Sequence, residues 1–157
     1  MTLDHTIRRA YIDTLLDGGF TRLADKTINP TEGYIVGGVT EPTTMANPIT
    51  ELALTDVNAH FEGFKKLWNQ YELQLDDYIQ NAADQSAELM WGYAIDENLT
   101  EDVCFPSGLG VGTWIHEGQI YFDIVQHIYS LDVATKLAKE RNEIAVYDCA
   151  NQKDILL

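Results

Sequence analysis

Between Val57 and Tyr93 apolar residues return at helical spacing for about ten turns. Val57, Phe61, Phe64, Trp68, Tyr71, Leu75, Tyr78, Ile79, Ala82, Leu89 and Tyr93 fall within about 100° of a helical wheel, with Asp77, Asp84 and Glu88 opposite. The pattern predicts a central helix over residues 56–94, with Thr55 and Asp56 as its cap and first turn. Uninterrupted, it would be about 55 Å long, against about 40 Å for a globule of this chain length. Leu73 is out of phase and Asp76 is a suitable cap for a second helix, so a break near residues 72–76 is expected.

Elsewhere the periods are shorter. Ile7, Ala10, Tyr11, Thr14 and Leu15 predict a first helix over Leu3 to Asp17, stopped by Gly18-Gly19. Thr21 to Thr31 reads as a polar connection, residues 33–39 as a short strand and residues 40–50 as a loop. Residues 110–125 read as a hairpin with Glu117-Gly118 at its tip. Its register sets Val111 opposite Ile124, Thr113 opposite Phe122 and Ile115 opposite Ile120, with Trp114 meeting Tyr121 on the other face. Ser130 caps a helix over 131–141, whose Leu131, Ala134, Leu137 and Ala138 point inward, and 143–148 is a last strand. These elements make one α+β domain over residues 1–157: a small, mainly antiparallel sheet with helices at the N-terminus, the centre and 131–141.

Charge changes the picture. From Leu67 to Thr135 there is no Lys or Arg, yet twelve residues are acidic, and the net charge of the 157 residues is −15. Such a field repels nucleic acid and anionic membrane and attracts basic protein surfaces. No apolar run approaches the ~20 residues of a membrane span, and Met1 to Thr6 lack the build of a signal peptide. Cys104 and Cys149 stand apart and are expected as reduced thiols. The expected location is the cytoplasm.

Gly112-Thr113-Trp114, Gly118, Ile120-Tyr121-Phe122-Asp123, Ala134, Leu137-Ala138, Ile144-Ala145-Val146, Asp148 and Ala150-Asn151, together with Thr31-Glu32-Gly33-Tyr34-Ile35-Val36, form a pattern of their own. It resembles small accessory proteins carried by phages and other mobile elements of actinobacteria. The resemblance covers about residues 20–38 and 108–155 and leaves out the central acidic helix. It implies a genomic setting and a host-cell cytoplasm, and no active site.

Each candidate chemistry meets a simpler structural explanation. Gly108-Leu109-Gly110-Val111-Gly112 is followed by a strand, where a phosphate loop needs a helix. Asp96 to Asp102 has Glu101 and Ser107 where a calcium loop needs Gly and Glu. His5, His60, His116 and His127 lack metal-ligand spacing. Ser86, Ser107 and Ser130 sit in no nucleophile elbow. Asp123 and Asp148, on strands that could be neighbours, offer an acid–base pair of the kind any carboxylate-rich chain provides by chance. The expectation is a protein that is no enzyme and uses no metal or cofactor.

What remains is the acidic face. Glu72/Asp76 and Asp84/Glu88 are like-charge pairs at i, i+4, each costing about 0.2–0.5 kcal/mol of helix stability. From Glu72 to Glu88 the helix carries a carboxylate about every 5 Å, sparser than the ~1.7 Å of duplex DNA. The resulting expectation is a non-catalytic inhibitor of host defence, anti-CRISPR or anti-restriction, occupying the basic groove of a nucleic-acid enzyme without touching nucleic acid or membrane. Glu72, Asp76, Asp77, Asp84, Glu88, Asp96, Glu97, Glu101 and Asp102 would meet Lys and Arg, with Tyr78, Trp91 and Tyr93 as aromatic anchors. The alternatives are an assembly protein forming a homodimer through the central apolar stripe, or a small enzyme without a recognisable motif.

Overall fold

Alternation along strand β5 (Gln119–Ile128) sends Ile120, Phe122, Ile124 and Ile128 to one face, and the helices cover them there. The computed structural model describes residues 3–46, 57–86 and 108–157, with the backbone alone at 3–4 and 81–86. Among these residues are three helices and one seven-stranded antiparallel sheet, a mixed α+β architecture.

β4 (Leu109–His116) and β5 form the hairpin at the centre of the sheet. The pairs Val111 with Ile124, Thr113 with Phe122 and Ile115 with Ile120 are those expected from the alternation. Trp114 stacks on Tyr121 with ring centroids 5.3 Å apart. Outside β4 lies β1 (Gly19–Leu23). The far edge of β5 is shared: β3 (Thr43–Ala46) pairs with Gln119 to Phe122, and β2 (Tyr34–Val36) with Gln126 to Ile128. β6 (Ala145–Asp148) and β7 (Lys153–Leu156) continue the sheet beyond β2. Asp123, Ile124 and Val125 therefore face the connection between β2 and β3, where no strand pairs with them.

Helix α1 (Leu3–Asp17) follows the expected bounds and buries Ile7, Ala10, Tyr11 and Thr14. The Thr14 hydroxyl donates to the Ala10 carbonyl at 2.6 Å, which leaves its oxygen to accept from Thr113 of β4 at 2.6 Å. Helix α2 (Val57–Ser86) runs on through residues 72–76, where a break was expected. The correction has a simple cause. Phe64, Trp68, Tyr71 and Leu75 all bury against the sheet, while Leu73 turns outward, 67% exposed, and Asp76 also lies on the outer side. An out-of-phase residue that can face water costs the helix nothing, so no second start is needed. The apolar stripe is taken up by this chain's own sheet: Phe64 lies against Phe122 and Tyr11, with centroids at 4.9 and 5.2 Å. The cap at Thr55-Asp56 and the end near Tyr93 lie outside the described residues.

Helix α3 (Leu131–Glu140) is held at its start by the Ser130 hydroxyl, which accepts from the Val133 amide at 3.3 Å. Val133, Ala134, Leu137 and Ala138 pack on Val36, Ile128 and Val146. The exchange Ser130→Ala should lower stability by about 1 kcal/mol in urea denaturation, the ordinary cost of a lost cap. A change below about 0.3 kcal/mol would mean the helix start is fixed by packing alone.

Three strands escape the sequence pattern. β1 begins within the glycine pair that stops α1 and carries a buried arginine, while β3 and β7 are four-residue edge strands with mostly exposed side chains. No helix of the described residues is long and apolar enough to cross a membrane.

Candidate functional site

The predicted contact residues on α2 do not act together. Glu72 turns to the sheet: both its oxygens accept from Arg22 of β1, and Oε1 also takes the Trp68 indole N–H at 2.9 Å. Arg22 had not been foreseen as its partner, because residues 21–31 read as a polar connection and not as part of a strand. Tyr78 is half-buried and packs on the main core, so it is not a free-standing anchor. Asp76 and Asp77 are exposed, and among the described residues neither is in an ion pair. For Asp84 the backbone alone is described; Glu88, Trp91, Tyr93, Asp96, Glu97, Glu101 and Asp102 lie outside the described residues.

Asp123 and Asp148 are not partners. β2 runs between their strands, and Asp148 is level with Tyr34 and Ile128, five positions along β5 from Asp123. Asp148 instead accepts from the Asn151 side-chain amide at 2.7 Å and from the amides of Ala150 and Asn151, which fixes the β6–β7 turn. The Asn151 bond holds its carboxyl below the usual range.

The group that Asp123 does join was not legible as a set. Its side chain is fully buried in the gap between β2 and β3. Oδ2 accepts the Gly38 amide at 2.7 Å, and Oδ1 has no hydrogen-bond partner. Glu143, just beyond α3, reaches the same gap: Asp123 Oδ2 and Glu143 Oε1 lie 2.6 and 2.9 Å from where a Cβ on residue 37 would sit. A Cβ on residue 38 would be 2.5 Å from Glu143 Oε1, and Gly38 has φ +75, so a glycine is required at 38, while residue 37 leaves room for both carboxyls. Arg141 donates to the Gln126 side chain at 2.7 Å and to the Gly37 carbonyl at 3.4 Å.

Burial pushes the Asp123 carboxyl up to about 7, with the Gly38 amide acting against it and Glu143 reinforcing it. Glu143 is raised too, by burial, with Arg141 opposing. Two carboxyls in one poorly solvated gap favour holding a proton between them. Such a pair can store or release a proton near neutrality. A surface depression of about 400 Å³, lined by Glu62, Lys65, Lys66, Asn69, Gln70 and Leu73, lies on α2, and Asp123 does not line it. Among the described residues no three His, Cys, Asp or Glu are grouped to hold a metal. Burial pushes the free Cys149 thiol up to about 11, which keeps it unreactive. No family model matches the chain, and neither a curated protein nor a solved structure matches it.

Proposed function

We propose that this chain is a non-catalytic binding protein whose acidic helix face docks on a basic protein surface. The occupant we favour is the nucleic-acid groove of a host defence enzyme, in keeping with the phage and mobile-element resemblance. The observation that carries this reading is the division of α2. Its apolar side is committed to the sheet, which leaves Asp76 and Asp77 facing outward without an ion pair among the described residues. The helix's own cations, Lys65 and Lys66, are about 16 Å away along the axis, two Debye lengths at physiological salt. They do little to cancel the pair. Downstream the sequence adds Asp84, Glu88, Asp96, Glu97, Glu101 and Asp102 before any basic residue.

The test is a cleavage assay with host restriction and CRISPR nucleases, with and without the chain, at low and high salt. Inhibition should weaken steeply with salt, and Asp76→Lys/Asp77→Lys should weaken it at least about tenfold while leaving the fold intact, since both residues are exposed. The reading fails if no nuclease is inhibited, or if the double substitution and salt leave inhibition unchanged. A homodimer through the apolar stripe has less to recommend it, because that stripe already has the sheet as its partner.

A further inference from the structure

The connection between β2 and β3 is fastened at two ends by different parts of the molecule. At its start the Gly38 amide is held by Asp123, and the Gly37 carbonyl by Arg141. At its end the Tyr71 hydroxyl of α2 donates to the Glu41 carbonyl and is hydrogen-bonded to the Thr43 hydroxyl, both at 2.9 Å, and Thr40 donates to Gln74 of α2 at 3.0 Å. The fastening at the start is the unusual one. It rests on a fully buried carboxyl with one oxygen unpartnered, and it is closed over by a second carboxyl. We propose that residues 37–41 form a proton-controlled latch, closed while Asp123 and Glu143 hold a proton between them and released when both are ionised.

The physical cause is the unpartnered oxygen. A neutral carboxyl can sit in the gap, but two carboxylates there repel each other and leave Asp123 Oδ1 without water. Hydrating it requires the gap to open, and the side closed by two glycines has the freest backbone. The groups that face Asp123 are few. From the end of α3 and just beyond come Arg141, which favours ionisation, and Glu143, which opposes it. From α2 comes Tyr71, whose own ionisation Asp123 opposes. From β5 comes the Ile124 amide, which also favours ionisation, and the connection itself contributes the Gly38 amide. The raised Asp123 carboxyl puts the change close to neutral pH. Because Gln74 and Tyr71 hold the same connection, release would loosen α2 beside Asp76 and Asp77.

The experiment is amide hydrogen exchange followed by NMR from pH 5.5 to 8.5, expressed as protection so that intrinsic base catalysis is removed. Protection at Gly38 should fall by up to about tenfold per pH unit as pH rises from 5.5 towards neutrality and should level off above it, where the closed form is ionised too. The amides of Tyr121 and Val125, which point to β4 in the central ladder, should keep theirs. Asp123→Asn should hold Gly38 protected throughout. Should that variant fail to fold, Glu143→Gln, at a half-buried position, should flatten the same fall. The proposal is overturned if Gly38 protection is level across the range in the unaltered chain. It is equally overturned if ladder and latch amides lose protection together, or if the fall persists unchanged in the substituted chains.

Discussion

Replacing Asp123 with Asn is expected to stabilise the protein by about 3 kcal/mol at pH 8 and to remove most of its loss of stability between pH 5 and pH 8. The sign follows from the direction of the shift. The folded carboxyl titrates near 7 and the unfolded one near 3.8, so between these values the folded state holds the extra proton. Stability is therefore greatest below the unfolded value, falls as pH rises, and levels off above the folded one. About three units of difference correspond to roughly 4 kcal/mol. An asparagine escapes this loss but must place its own amide, which lowers the expected gain. Urea denaturation at pH 5 and pH 8 measures it. Equal pH dependence in the two chains would show that Asp123 is ionised without penalty in the folded state.

The second large effect concerns Arg22 and Glu72. Their side chains are only 9% and 15% exposed, so Arg22→Leu should cost about 3–5 kcal/mol, because it strands a carboxylate against the core. In the double variant Arg22→Leu/Glu72→Leu most of that loss should return. A deficit of about 1 kcal/mol should remain, since the Trp68 indole N–H loses its acceptor. A double-mutant cycle in urea reads both numbers. A cost below about 1 kcal/mol for the single change would place the pair with solvated surface bridges.

How much could be read from the chain depends on where each element finds its partner. The register of the hairpin was legible to the residue, because its pairing is local, although its second strand runs on to Ile128, past the expected end at 125. The first and last helices were legible from their stops and caps. β1, β3 and β7 were not, since a strand of four or five residues with polar or charged positions carries no period of its own. Its identity comes from the strand beside it. The same reason hid the two buried polar groups. Glu72 looked like one more surface acid because Arg22 is fifty positions away. Asp123 was conspicuous in an apolar strand, but Gly37, Gly38, Arg141 and Glu143 are brought to it only by the β5–β2–β6 order. The glycine pair directly after a strand was the one local sign that something bulky had to fit there.

The position of β1 has a consequence for synthesis. Phe20 and Thr113, which face each other across β1 and β4, are 93 residues apart. At translation rates of about 5–20 residues per second the earlier strand waits roughly 5–20 seconds for its mate. Throughout that interval its peptide groups could pair with another nascent chain. Arg22 is the fourth of the five residues of this strand, and a guanidinium is costly to trap in a misassembled ribbon. The cation that ends beneath α2 thus begins as a guard, and chains lacking it should aggregate more during expression than their lost folding energy alone would explain.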